Sequence, residues 1–122
     1  MDVTAYADIE PFRTKDGSEI REWAGAVSAP ARNQSLAEAT VPPGGATAEH
    51  YHRVTEELYL ITAGSGRLRV GADERDVAAG DCAVIPPGAP HKIWNTGDEP
   101  LRIVCACAPA YSHDDTVLLE EL

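Results

Sequence analysis

The sequence predicts an all-β domain, a sandwich or barrel built from short strands. Nine Pro and ten Gly cut the chain into pieces four to eight residues long. Val, Ile, Leu, Tyr and Thr are prominent in those pieces, as half-buried strands require. The pieces recur at intervals that suit two packed sheets or a closed barrel. At 122 residues with 43% apolar content, the chain supports one core and not two.

In chain order, strands are expected at 19–23, 34–41, 47–52, 57–62, 67–70, 74–77, 82–85, 91–95 and 101–108. Arg67-Leu68-Arg69-Val70 and Leu101-Arg102-Ile103 alternate polar with apolar residues, which places one face in a core and the other in water. Ala63-Gly64-Ser65-Gly66 and Gly71-Ala72-Asp73 read as hairpin turns with glycine supplying positive φ, and Thr96-Gly97-Asp98-Glu99-Pro100 as a third turn. A weak helical period is confined to the tail, 114–122. The organisation expected is an N-terminal extension (1–33), a barrel (34–110) and a C-terminal tail (111–122) in one domain, without repeats or low-complexity linkers.

Ten Lys and Arg against 20 Asp and Glu give a net charge of −10. That field repels a phosphate backbone, so no nucleic-acid partner is expected. The charged first twenty residues contain no apolar signal segment. No stretch approaches the ~20 apolar residues that span a bilayer. The expectation is a soluble, cytoplasmic protein without a membrane partner. Three Cys, two of them at 105 and 107, make no disulfide framework, because alternate residues of one strand point the same way. They are read as reduced, with Cys105 and Cys107 on the apolar parity of Leu101 and Ile103 as small core residues.

The chemistry lies in four residues. His50 and His52, one residue apart in an extended stretch, leave the strand on the same face and can grip one metal ion. Glu57 heads the next strand, and a closing sheet would bring His91 to the same place. Three imidazoles and a carboxylate suit a divalent first-row ion: Fe, Mn, Ni, Co or Zn. By parity Ala48, Tyr59, Ile61, Ile93 and Asn95 face the metal side, while Tyr51, Lys92 and Trp94 face away. His113, alone in the acidic tail, is assigned no role.

The stretch Gly44-x5-His50-x-His52-x4-Glu57-x6-Gly64, followed by Gly80-x5-Pro86-x-Gly88-x2-His91-x3-Asn95, resembles the two motifs of the cupins, small jelly-roll β-barrels. The resemblance spans nearly the whole chain and implies that His50, His52, Glu57 and His91 hold one metal ion per chain. Glu57 is preferred to Glu56 because it keeps the interval to Gly64. Gly64, Gly80, Gly88 and Pro86 mark turns, and Asn95 satisfies backbone groups at a strand end. Tyr59 is the candidate catalytic residue, lining the cavity to orient a substrate or move a proton. Gln34 and Glu38 are considered for the cavity wall, and Arg53 and Lys92 for an anionic substrate, although Lys92 alternates outward.

The resemblance implies a metalloenzyme acting on a small organic acid, enol or sugar-derived molecule, with dioxygenase-type chemistry favoured. An isomerase, epimerase or lyase using the same ion as Lewis acid is the alternative, and a non-enzymatic ligand-binding cupin the third reading. It also implies a homodimer, with 19–41 as the edge that pairs with a second copy. Protons should displace the ion below about pH 6.5, and the metal-free protein should show a flatter stability profile than the loaded one between about pH 7 and 5.

Overall fold

The computed structural model describes residues 1–26 and 29–121; Val27 and Ser28, within the 19–41 segment, and Leu122, the end of the tail, lie outside the described residues. Eleven strands run along the chain: β1 (Phe12–Arg13), β2 (Glu19–Ala24), β3 (Ser35–Val41), β4 (His50–His52), β5 (Glu56–Ala63), β6 (Ser65–Val70), β7 (Asp73–Ala78), β8 (Cys82–Ile85), β9 (His91–Asn95), β10 (Leu101–Ala108) and β11 (Thr116–Leu118). Among the described residues the one helical element is a 3-10 turn at Tyr6–Asp8, and no helix is long and apolar enough to cross a membrane.

The strands form two sheets, one of six in the order β1-β2-β3-β10-β5-β8 and one of five in the order β11-β4-β9-β6-β7. The paired neighbours are antiparallel. Along β5 and β10 burial switches at nearly every residue, the period-two signature of a strand with one face in the core. Ile61, Ile85, Ile93, Leu101 and Ile103 are almost wholly enclosed between the sheets, and each contributes about 1.5–3 kcal/mol of burial. The result is the expected all-β jelly-roll.

Some expected turns have a different task. Gly71-Ala72 closes a two-residue hairpin, since Val70 pairs with Asp73. Gly64 does not close a hairpin, because β5 and β6 belong to different sheets. It carries the chain around the corner at φ 84°, and a Cβ there would lie 2.8 Å from the Pro100 carbonyl oxygen. Residues 96–100 likewise pass between sheets, from β9 to β10. The strand expected at 47–52 is shorter, because the amides of Thr47 and Ala48 bond to the carbonyls of Ile93 and Asp16 outside the β4 ladder.

The tail carries no helix among its described residues. Thr116–Leu118 instead adds to β4 as an outer strand, so tertiary pairing overrides a weak local period. Of the 19–41 segment, β3 lies inside the six-stranded sheet, while β1 pairs with β2 at Glu19 and Ile20 and leaves the outer side of β2 past Ile20 without a β1 partner. Gln34 is exposed just before β3. Glu38 points outward, accepting hydrogen bonds from Tyr6 Oη (2.6 Å) and Arg102 Nη1 (3.2 Å). Neither reaches the cavity, because the inward parity of β3 belongs to Ser35, Ala37 and Ala39. The outward face of this sheet carries an apolar row in register, Leu36, Ala106, Leu58 and Val84 across β3, β10, β5 and β8, with Leu60 beside it.

Candidate metal centre

The site bridges the two sheets. His50 and His52 come from β4 and His91 from the start of β9, where it is the cross-strand partner of His50, so their imidazoles crowd together with the His50 and His91 ring centres 4.2 Å apart. Glu57 reaches across from β5 in the opposite sheet, flanked in register by Cys107 and Ile85. All four predicted ligand residues are buried, whereas Glu56 is exposed on the outer parity.

Glu57 Oε1 stands 3.3 Å from His52 Nε2 and 3.4 Å from His91 Nε2. The ligand atoms of His50, His52 and His91 lie within 4.8 Å of one another. His52 Nε2, His91 Nε2 and Glu57 Oε1 are buried with no hydrogen-bond partner. Each such orphan costs about 1–3 kcal/mol, and the three lie together, Oε1 within 3.4 Å of both Nε2 atoms, as donors to a shared cation would. The donor set, three imidazoles and a carboxylate, fits a divalent first-row ion.

The outer nitrogens fix this aim. His50 Nδ1 lies 2.7 Å from the Ala48 carbonyl oxygen and His91 Nδ1 3.0 Å from that of Ala89, so both Nδ1 atoms carry the proton and leave Nε2 as a lone-pair donor. His52 Nδ1 is 2.9 Å from Thr116 Oγ1, whose own proton is donated to the Ser112 carbonyl at 2.8 Å. That hydroxyl can only accept from His52, which sets the third tautomer. The strand that replaces the expected tail helix is thus a fastener of the site.

Sequence reasoning missed three further neighbours. The Cys107 thiol donates to Glu57 Oε2 at 3.1 Å, occupying one carboxylate oxygen and leaving Oε1 facing the imidazoles of His52 and His91. Its inward parity was legible, but its contact with Glu57 depends on strand pairing. Asp16, in the turn between β1 and β2, accepts on Oδ1 from Thr14 Oγ1 (2.7 Å), Ser18 N (2.9 Å) and Ser18 Oγ (2.6 Å), and its Oδ2 lies 3.6 Å from His50 Nε2. Tyr111 stands edge-on to the His52 ring at 5.9 Å. Neither residue carries a one-dimensional signal linking it to the ligands.

Electrostatics follow burial. With no ion bound, desolvation raises the Glu57 carboxyl, but hydrogen bonds it accepts from His52 and His91, made when Nε2 carries a proton, outweigh burial and hold it at about 2. Burial, with His91 beside it, lowers His50 from 6.5 despite the opposing pull of Asp16. In the metal-free chain this shift makes stability fall as pH drops below about 6.5, because the unfolded chain protonates His50 before the folded one does. Burial and then the Glu57 charge push the Tyr59 hydroxyl well above 10 and the Cys107 thiol far up, so both keep their protons. Tyr59 packs edge-on 5.8 Å from His91 and faces the cavity.

Ala48, Ile61, Ile93 and Asn95 are buried on the inward parity, although none of the four lines the cavity over the ligands as Tyr59 does, while Tyr51, Lys92 and Trp94 are partly exposed. Asn95 Nδ2 donates to the carbonyls of Val41 and Glu99, and its Oδ1 accepts from Gly97 N. Arg53 is exposed, and Lys92 pairs with Glu120 beside the Trp94 ring, so neither cation faces the site. Cys82, Cys105 and Cys107 are free thiols.

Comparison with known proteins agrees with this architecture. The family model described as "Cupin domain" matches residues 37–107. An uncharacterized protein of Methanocaldococcus jannaschii, MJ1618, is 46% identical over 96% of this chain and 94% of its own length. Protein SchB of Streptomyces halstedii is 30% identical over 98% of this chain and 89% of its own. Among solved structures, the oxalate decarboxylase of Lactobacillus farciminis in its formate complex superposes with a TM-score of 0.75 at 27% identity, over 93% of this chain but 34% of that one. The polyketide cyclase RemF from Streptomyces resistomycificus has the same fold, with a TM-score of 0.80 at 20% identity over all of this chain and 87% of that one.

Proposed function

The chain belongs to the cupin family, and on that footing we propose that it is a small metalloenzyme whose His50, His52, Glu57 and His91 hold one divalent first-row ion per chain. The observation that carries this reading is the convergence of three buried, unpartnered ligand atoms on one point. An ion held by four protein ligands supplies a Lewis acid with positions left for a chelating organic molecule, and, if redox-active, a route for electrons to oxygen. The chain's residues supply the rest. Cys107 holds Glu57 by one oxygen, Thr116 orients His52, and the protonated Tyr59 hydroxyl, facing the cavity, is available to donate to a bound substrate. Oxygenase-type chemistry and a non-oxidative isomerase, lyase or cyclase reaction use the same centre. They separate by measurement: metal analysis of protein purified without chelator, run beside oxygen uptake on a panel of small carbonyl compounds, enols and diols. Metal at one ion per chain supports the centre; oxygen uptake assigns the oxidative reaction, and turnover without it the other. A chain purified without metal that also takes none up would leave a binding protein.

The same reading includes assembly as a homodimer. The pairing surface is the outward face of the six-stranded sheet, which takes in β3 of the 19–41 segment: Leu36, Leu58, Leu60 and Val84 are 37–59% exposed there, and the row runs to the edge strand β8. A two-fold axis through that row sets equivalent apolar residues against each other. Leu58→Glu should convert a dimer mass in light scattering to a monomer; a wild-type monomer at micromolar concentration would refute the assembly.

A further inference from the structure

β8 is an edge of the six-stranded sheet and β7 an edge of the five-stranded one, and a cavity of about 220 Å³ lies at the seam that both strands line. It is distinct from the space over the ligands: among the described residues only Tyr59 lines both. Its wall is largely hydrocarbon, from Ile61 of β5, Leu68 of β6, Val77 of β7 and Ala83 of β8. Two charged side chains, Arg75 and Asp81, complete it with the exposed Cys82.

Alternation places Arg75 there. Arg67 and Arg69 stand opposite Asp76 and Glu74 on the outer face of the β6–β7 pair and form ion pairs with them. Arg75 stands instead opposite Leu68, on the inward parity of Val77, parted from the carboxylates that hold its neighbours. Among the described residues its one hydrogen bond runs from Nε to the Asp76 carbonyl at 3.2 Å, and it joins no ion pair. Asp81 is held more firmly. It sits in the β7–β8 turn, which is fastened to β5 by Gly80 N donating to the Ile61 carbonyl (2.8 Å) and Ile61 N to the Asp81 carbonyl (2.9 Å). Its Oδ2 accepts from Ala78 N at 2.8 Å, which leaves Oδ1 without a partner among the described residues.

A guanidinium and a carboxylate that do not pair with each other, on the wall of one apolar cavity, match a ligand that carries both charges and a hydrocarbon group. A plain carboxylate would meet Arg75 but also Asp81 and the field of a chain of net charge −10, and a plain amine would leave the guanidinium unused. A zwitterion has no net charge and satisfies both. The volume is below the ~300 Å³ at which drug-sized pockets begin, so the ligand is small.

We infer that the β7–β8 seam binds a free α-amino acid with an aliphatic side chain, its carboxylate on Arg75, its ammonium on Asp81 Oδ1 and its side chain against Ile61, Leu68, Val77 and Ala83. The inference does not rest on the metal centre, and either can fail without the other.

The test titrates the full chain with L-leucine, with isocaproate and isoamylamine, which are leucine without its ammonium and without its carboxylate, and with glycine. Binding is read by calorimetry and by the backbone amide NMR shifts of Val77 and Ala83. Leucine should bind saturably and move both amides, and each truncated probe should bind at least about tenfold more weakly. Arg75 is exposed and Asp81 half-buried, and an Asn carbonyl at position 81 still accepts from Ala78 N, so Arg75→Gln and Asp81→Asn should both fold. Arg75→Gln should weaken leucine at least about tenfold while leaving isoamylamine within about twofold; Asp81→Asn should weaken leucine by a similar factor and isocaproate not at all. Wild type that shows no saturable leucine binding up to roughly 10 mM, or leucine that binds without moving the two amides, would overturn the inference. So would leucine whose affinity ignores both substitutions, the pattern expected if it chelated an ion at the ligand end instead.

Discussion

The two ends of the barrel interior are lined by the same strands and the same parity, yet they do opposite work. On β5 the inward residues run Glu57, Tyr59, Ile61, and on β9 they run His91, Ile93, Asn95. One step of two residues moves from an imidazole whose Nε2 lacks a partner to an isoleucine with 0% exposure. The hydrocarbon end supplies cohesion. The ligand end subtracts from it, because its buried Nε2 and Oε1 atoms have no hydrogen-bond partners within the chain. Alternation thus decides what is inside, and position along the strand decides whether that residue supports the fold or the chemistry.

Substitutions at the two ends should therefore separate. The largest effect belongs to His52→Ala, which should lower metal affinity by more than roughly a hundredfold, beyond what loss of an outer partner does. Metal per chain after gel filtration checks this, and wild-type stoichiometry would exclude His52 as a ligand. Ile93→Ala, one step deeper, should cost about 2–5 kcal/mol in urea unfolding while leaving the folded protein's metal content intact. If it abolished metal binding instead, the two ends would not be independent. Thr116→Val removes the acceptor that orients His52 and should weaken metal affinity about 10- to 100-fold without changing stoichiometry at saturating ion.

The smallest effect is the pH response of the metal-free chain. The His50 pKa is lowered on folding, so its contribution is complete above about 6.5 and is lost as pH falls below it. Glu57, held at about 2 against 4.5 when unfolded, contributes above 4.5 and loses that contribution between 4.5 and about 2. Melting midpoints of metal-free protein should decline in two stages on acidification, and His50→Gln should abolish only the first.

The sequence made the ligand end unusually readable. His50 and His52 share a face by strand alternation, and the intervals to Glu57, Gly64 and His91 match a two-motif pattern, so both the barrel and the meeting of these four side chains follow from spacing. What surrounds the ligands does not. Asp16 arrives from a hairpin 34 residues before His50, and Thr116 from a tail whose weak helical period gives way to pairing with β4. Gly64 was legible as a positive-φ glycine but not as a corner, because the choice between returning to the same sheet and crossing to the other depends on which strands are already paired. Residues whose role is set by their own strand were readable; those set by a partner strand were not.

The anchored outer nitrogens of the three imidazoles have a consequence for how the ion is acquired. A socket whose three rings are already turned would need no chain rearrangement to receive an ion, so loading would be governed by stripping water from that ion. Such a socket offers the same donors to every divalent visitor, and imidazole with carboxylate ranks those visitors by the general order of first-row affinities and not by size. Which ion the proposed centre takes would then be set largely by the ions the cell supplies at the time of folding.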